Sequence, residues 1–527
     1  MRRVSLFEWL ALAVLVTAAF VLRTRDITSF KLSPDDGQYM NSARLQSLER
    51  SADPAQWWAE DRAWFAELVE DWGNPVQLAQ TYQHSYLHQF LFRYGYRFGL
   101  SRIEALRMNG AVCGTLLVLA LWLVYALLWP ERRRVGLACA AIASALLVFV
   151  FQARTGWGQT GATLFFVLYL AAGWRLLAQT AEHETKRITR LGLALMLFSV
   201  LGMGFQEMTS VYVVLLVGLA LASPWWLGRA EPGASRLRAL FTSRRIRAVL
   251  VSAVPVGAYT LALALFSEYA KGVWLLWGSR YADVTWLELR AQTLERFWKT
   301  DELLFQISVP VVLFALVGFV VVWRRDRTWF KYLATWLVAA GAVFFLAFEN
   351  PSILRIYLPQ YVVLVVFAAE GLVYVCERAA GSTRPALARA FTVVLASALT
   401  VFLAATSWTT LFGQRDDTFF CEGPYLNLDG WRESERDWLH YLEDHRVTSQ
   451  IGVYPSKEPL FVALDAGFDA RLFSFDESQD TWTEYMLAVK STMKREKRST
   501  DLGGRYRLVA QDGRGGIGLY VLEPRAQ

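Results

Sequence analysis

Leu32-Ser33-Pro34-Asp35-Asp36-Gly37-Gln38-Tyr39-Met40 begins about ten residues past the first strongly apolar segment, Leu6 to Leu22. It carries two adjacent carboxylates just outside a stretch long enough to cross a bilayer. Two readings fit it. Ser33 at the cap, Pro34 at the first helical position and Asp36 three residues after the cap make a helix start. Paired acids beside a membrane also suit a general base acting on lipid-linked substrates. The readings are compatible, because a helix start holds a carboxylate in place and its dipole keeps it ionised.

The rest of the chain supports the membrane setting. Its 527 residues are 54% hydrophobic and 14% aromatic, with 22 Trp, and only 19% are charged. That is too apolar for an ordinary soluble enzyme. The net charge of +7 does not point to nucleic acid, because the basic residues form short clusters between apolar spans. Cys113, Cys139 and Cys376 lie inside apolar segments and Cys421 stands alone outside them, so neither a disulfide framework nor a zinc site is read. Met1-Arg2-Arg3 and the apolar run after it read as a retained first helix, because no small-x-small cleavage site precedes Arg23.

About eleven stretches are apolar enough to span, near 5–22, 106–128, 135–152, 159–178, 191–206, 208–227, 248–266, 303–323, 332–348, 356–376 and 390–407. With the N-terminus cytoplasmic, every basic cluster falls on the cytoplasmic side: Arg132-Arg133-Arg134, then Lys186-Arg187 with Arg190, then Arg229 through Arg247. Arg324-Arg325 with Arg327 and Lys331, and finally Arg378, Arg384 and Arg389, follow the same rule. An odd count places the C-terminus extracytoplasmic, in an inner or plasma membrane.

Residues 1–407 thus form a membrane domain with outer loops 23–105 and 267–302, and 408–527 form an outer domain. Trp57, Trp58, Trp64, Phe65 and Trp72 in the first loop suit helices at the headgroup level, as do Trp274, Trp277, Trp286 and Trp298 in the second. The last 120 or so residues alternate helices (Ser434 to His445, Glu458 to Ala466, Thr481 to Arg495) with strands (Gln450 to Tyr454, Ala470 to Phe475, Tyr506 to Ala510, Gly516 to Leu522). That pattern predicts a small α/β domain, its last two strands joined as a hairpin at Gly513 and Gly515-Gly516.

Other polar residues compete for roles. His84 and His88 are four apart, but Ser85 stands where a zinc peptidase helix would need glutamate, so an interfacial amphipathic helix with single substrate contacts is the plainer reading. Glu207, between two spans, is either an intramembrane functional acid or part of a short wet turn. Arg355, beside Tyr357, is either a snorkelling side chain or a phosphate ligand, since guanidinium matches phosphate oxygens in a two-bond fork. Arg154 is a second phosphate candidate. Gly513-Arg514-Gly515-Gly516 opens no helix and is no nucleotide loop.

The order of these features resembles the GT-C-fold glycosyltransferases, in particular the polyprenyl-phosphate-sugar enzymes such as protein O-mannosyltransferases and lipid A aminoarabinose transferases. Pro34-Asp35-Asp36-Gly37-Gln38-Tyr39, continued by Ala43-Arg44, resembles their Asp-Glu-x-x-Tyr region. His84-Ser85-Tyr86-Leu87 is similar to their His-Pro-Pro-Leu stretch, and Arg107 to Leu128 resembles the span after it. Gln206-Glu207 sits where relatives often have Lys-Glu, and Arg355-Ile356-Tyr357-Leu358-Pro359 resembles their Arg-Tyr-x-x-Pro stretch. Asp36 departs from the usual Glu. Gln159 stands where many relatives place an acid, which leaves a divalent metal an open question; no other cofactor is implied.

The resemblance implies an inverting transfer of sugar from a polyprenyl-phosphate donor to a lipid, glycan or protein acceptor at the extracytoplasmic face. Asp35 is then the base and Asp36 tunes it, while Tyr39, His84, His88, Arg154, Glu207, Arg355 and Tyr357 contact substrate. A transporter or flippase of lipid-linked sugars is the rival, but it calls for more charges inside the spans and often an internal repeat. A non-catalytic scaffold using residues 408–527 is a third reading.

Overall fold

The computed structural model describes residues 5–25, 27, 87–88, 91, 100, 102–156, 158–206, 209–226, 242–266, 287–288, 290–291, 294, 307–347, 357–380, 385–412, 417–418, 421–422, 437–454, 463, 468–472, 483–489, 506–511 and 517–522. The chain divides into two compact units, one of residues 1–25, 84–91 and 107–424, the other of 26–83, 92–106 and 425–527.

The first unit is a helical bundle. Its helices are α1 (Leu6–Thr24), α2 (Arg102–Leu128, in this unit from Arg107 on), α3 (Arg133–Ala145), α4 (Leu147–Arg154), α5 (Gln159–Gln179), α6 (Thr185–Phe205) and α7 (Thr209–Trp226), followed by α8 (Arg244–Phe266), α9 (Val309–Arg325), α10 (Arg327–Ala347), α11 (Leu358–Ala380) and α12 (Pro385–Phe412). A helix thus lies at each of the eleven apolar stretches. Among the described residues six helices are long and apolar enough to cross a membrane, or seven if the bent pair α3 and α4 counts as one span.

The stretch read as one helix over 135–152 is broken. Leu146 takes an extended backbone between α3 and α4, and the axis bends by 56°. A break in apolar surroundings strips carbonyls of their helical partners. Here they are capped from other helices: Arg23 Nη1 donates to Ser144 O at 2.8 Å, Arg23 Nη2 to Ala143 O at 3.0 Å, and Ser407 Oγ to Ala145 O at 2.6 Å. Elsewhere the bundle closes on small residues. A Cβ on Gly318 would overlap the Phe367 carbonyl oxygen, so only glycine lets α9 and α11 meet backbone to backbone.

One end of this bundle collects the basic clusters. Arg133 pairs with Glu8 at 3.5 Å and Arg134 with Glu377 at 3.9 Å. Glu370, inside α11 and 1% exposed, receives Arg132 at 3.2 Å, Arg325 at 2.5 Å and the Tyr125 hydroxyl at 3.3 Å. Trp129, Trp174 and Trp329 pack beside them with tilted to edge-on rings, the centroids 4.7 Å apart for Trp129–Trp329 and for Trp174–Trp329. In the connection after α5, Glu182 accepts from Ser243, Arg244 N and Arg245. Partial burial pushes the Glu182 carboxyl upward, but these bonds outweigh it and hold the group below its ordinary value. Glu370→Gln should keep the Tyr125 contact yet lose both ion pairs, and about 1.5–3 kcal/mol of stability with them. An unchanged thermal unfolding curve in detergent would show that the two arginines hold these turns without it.

In the second unit, α13 (Asp437–Asp444) packs on a five-stranded sheet of β3 (Ile451–Tyr454), β4 (Ala470–Leu472), β5 (Tyr485–Val489), β6 (Tyr506–Gln511) and β7 (Ile517–Leu522), in the order β4-β3-β5-β7-β6. β3 pairs parallel with β4 and β5, while β7 pairs antiparallel with β5 and β6. The short β1 (Asp417–Thr418) and β2 (Cys421–Glu422) pair in the first unit. One expectation is corrected. Tyr485–Val489, read within a helix from Thr481 to Arg495, is a strand between β3 and β7. Its Met486, Leu487 and Ala488 are fully buried, and a continuous apolar run in a central strand has no period that separates it from a buried helix.

Candidate functional site

α1 and α11 each run from one end of the bundle to the other, so the C-terminus of α1 and the N-terminus of α11 lie opposite the basic clusters. There α1 is tied down by two arginines. Arg23 is fully buried and reaches across to the helix break while also donating to Ala19 O at 3.0 Å. Arg154, 1% exposed at the end of α4, returns the favour by donating to Leu22 O at 3.0 Å and Arg25 O at 2.6 Å. The Arg23 guanidinium thus caps carbonyls at the α3–α4 break, and that of Arg154 caps carbonyls at the C-terminus of α1, where helical partners have run out. Gly114 leaves room for Arg23, since a Cβ there would stand 2.8 Å from Nε.

Two residues past Arg154, the Gly156 carbonyl lies 2.7 Å from His88 Nε2. A carbonyl can only accept, so Nε2 carries the proton. Asn109 Nδ2 donates to His88 O at 3.1 Å, fixing the backbone of the same residue. His88 is fully buried, and burial pushes its imidazole down to about 4, against the raising effect of the Gly156 bond. It is neutral at pH 7. The unfolded residue takes up a proton near 6.5 and the folded one only near 4, so the unfolded state binds more protons between those values. Stability is therefore full above about pH 6.5 and declines as pH falls toward 4, by up to roughly 3 kcal/mol from this group. Thermal unfolding from pH 7 to 4.5 should show a shallower decline in His88→Gln; parallel declines would assign the effect to other groups.

The His88 ring lies 6.0 Å from that of Phe205, the last residue of α6, and Gly204 lies against Leu87. Phe205 in turn covers Gly161 at the start of α5, where any side chain would overlap its ring. Around this contact Gln159 Oε1, Thr160 Oγ1, Gln206 Oε1 and Thr209 Oγ1 are buried with no hydrogen-bond partner among the described residues; Gln152 Oε1, on α4, is the same. Buried polar atoms rarely stay unmatched, so such a group calls for a polar ligand or water. Tyr357 belongs to a second group at the start of α11. Arg290 lies within electrostatic reach of its hydroxyl. Arg290 itself donates to the last carbonyls of α10, Phe345 O at 3.2 Å and Leu346 O at 3.0 Å.

Among the residues singled out from the sequence, the structure joins His88 and Arg154 through Gly156. Asp35, Asp36, Tyr39, His84, Glu207 and Arg355 lie outside the described residues. Arg154, read as a phosphate candidate, spends its described bonds on backbone carbonyls, and His88 is enclosed rather than laid on an interface. Arg23, Asn109, Arg290 and the buried amides were not singled out as ligands. A charge at the very edge of an apolar run was the signal for Arg23, and Gln159 stood out only by not being an acid. Among the described residues no three His, Cys, Asp or Glu side chains are grouped to hold a metal.

No family model matches this sequence, and neither does any curated protein. Solved structures do. ArnT from Cupriavidus metallidurans bound to undecaprenyl phosphate superposes with a TM-score of 0.51 at 14% identity, over 99% of this chain and 100% of that one. The same protein in the apo state gives 0.53 at 14% identity, over 98% and 99%. Archaeal oligosaccharyltransferase AglB from Archaeoglobus fulgidus, in complex with an inhibitory peptide and a dolichol-phosphate, gives 0.52 at 11% identity, over 99% of this chain and 75% of that one. At such identities the likeness is one of architecture, and by it the chain has the GT-C fold of membrane glycosyltransferases.

Proposed function

We propose that the protein transfers a sugar, with inversion, from a polyprenyl-phosphate donor to a lipid, glycan or protein acceptor at the extracytoplasmic face of an inner or plasma membrane. On this reading it has about eleven spans, a cytoplasmic N-terminus and an extracytoplasmic C-terminal domain. The observation that carries it is the set of buried, unmatched amide and hydroxyl atoms around Phe205, on a GT-C fold. Neutral donors and acceptors of this kind are what sugar hydroxyls satisfy, whereas a phosphate calls for cations.

The chemistry follows from the residues. The leaving group is already a phosphate, so it needs charge neutralisation more than protonation, and Arg355 is assigned to it. The acceptor hydroxyl or amine needs a base, for which Asp35 is assigned, with Asp36 raising one pKa of the pair by like-charge repulsion. The test is to incubate purified protein with a panel of polyprenyl-phosphate sugars and candidate acceptors, and to look for released polyprenyl phosphate. Release with one sugar is the expected result. A stable, folded preparation inert to every donor would overturn the reading.

A further inference from the structure

α6 and α8 start side by side at the basic end of the bundle. Arg244 Nη1 donates to Thr185 Oγ1 at 2.6 Å, and further along a Cβ on Gly192 would stand 3.3 Å from that of Ala248. The two helices therefore run parallel, with small residues where they meet. Each has an exposed face at helical spacing. On α6 it reads Lys186, Arg190, Leu193, Leu197 and Val200; on α8 it reads Arg244, Arg247, Val251, Val254 and Leu261. Both stripes begin with two cations and continue as aliphatic side chains that are 44% to 65% exposed. Counting round each helix from the Gly192–Ala248 contact puts the two stripes on the same side of the pair.

Cations outnumber acids here. The connection after α5 and the first turns of α6 and α8 carry Lys186, Arg187, Arg190, Arg244, Arg245 and Arg247 against Glu182 and Glu184. Both acids are taken: Glu184 pairs with Arg187 at 2.9 Å and Glu182 with Arg245 at 2.7 Å. Among the described residues no acid lies within ion-pair distance of the Lys186, Arg190, Arg244 or Arg247 side chains, the four that head the stripes. Elsewhere at the same end Arg132, Arg133, Arg134 and Arg325 each meet a carboxylate. Like charges gathered without a counter-charge repel one another, and a phosphate among them removes that cost.

We propose that this face binds an anionic two-chain phospholipid of the leaflet at the basic end. Its phosphate sits among Lys186, Arg190, Arg244 and Arg247, and one acyl chain follows each stripe. Basic clusters at the ends of membrane helices recognise such headgroups by charge. The paired stripes select a lipid over a soluble anion, because they offer apolar surface to two chains at once. The proposal is independent of the transfer reaction.

The test is native mass spectrometry of the delipidated full-length protein in detergent, titrated with phosphatidylglycerol or phosphatidylcholine. Phosphatidylglycerol should bind about tenfold more tightly or better. Arg190→Gln and Arg247→Gln should each weaken it about fivefold, and the double variant about twentyfold, with thermal unfolding as in wild type. Arg134→Gln removes the same charge from an acid-matched position at the same end and should leave the affinity unchanged. Glycerol 3-phosphate at matched concentration should not compete. Equal affinity for the two lipids overturns the proposal, since the face would then hold ordinary boundary lipid. Wild-type affinity in the double variant overturns it as well. So does a loss in Arg134→Gln as large as in Arg190→Gln, which would mean attraction by net charge alone. Competition by glycerol 3-phosphate would assign the cations to a soluble anion. If the double variant unfolds early, the two single variants decide by the same criteria.

Discussion

Asp35→Asn is expected to abolish sugar transfer while leaving the protein folded. Asparagine caps a helix nearly as well as aspartate, so a capping role alone forecasts little change in either stability or rate. An amide cannot take the acceptor's proton, and loss of a general base typically costs about 10²–10⁴-fold. Asp36→Asn should cost less if its task is to tune its neighbour, since removing one like charge changes the pKa of the other rather than removing the base. Turnover by purified variants, with thermal unfolding measured alongside, separates these cases. Wild-type turnover in Asp35→Asn would remove the assignment. An inactive Asp36→Asn beside an active Asp35→Asn would exchange the two roles.

Arg23→Met is expected to be among the most destabilising single changes in the bundle. The side chain is fully buried and donates to Ala19 O, Ser144 O and Ala143 O. Methionine fills much of the same volume but leaves the two carbonyls at the α3–α4 break unmatched. Each such orphan costs about 1–3 kcal/mol, partly offset because the buried charge is also removed. A net loss of about 2–4 kcal/mol is expected. Lysine in the same place should recover part of this, as its ammonium can reach one carbonyl but lacks the fork. Ser407→Ala, which removes the single bond to Ala145 O, should cost about 1 kcal/mol. The measurement is thermal or denaturant unfolding in one detergent. Wild-type stability in Arg23→Met would mean that the break is held by the packing of α1 and α12 alone.

Much of the architecture was open to reading from residues. Apolar length located a helix at every one of the eleven stretches, and the spacing of basic clusters foretold that Arg132, Arg133, Arg134 and Arg325 would share one end of the bundle. The motif order from Asp35 to Pro359 points to the GT-C fold by resemblance alone. Local pattern could not reveal what long-range contacts decide. Nothing in the Ala-rich run before Leu146 marks a break, because its caps come from Arg23 and Ser407, more than 100 residues away. Glu370 is visible as an acid in an apolar run, but its partners are 238 and 45 residues distant. Tyr485–Val489 was misread because burial on both faces erases the alternation that betrays a strand.

The Glu370 cluster also sets an order of events during synthesis. Arg132 leaves the ribosome 238 residues before its carboxylate does, on the order of tens of seconds at ordinary elongation rates. Arg325 follows, still 45 residues ahead of Glu370. Through that interval the early helices insert with two guanidinium groups at their margin whose common acid has not yet been made. When α11 enters the bilayer it brings Glu370 to both, and the turns after α2 and α9 lock in one event. The tenth of the eleven apolar stretches is thereby the keystone of the basic end, and a chain truncated before it should be recognised by quality-control proteases as unfinished.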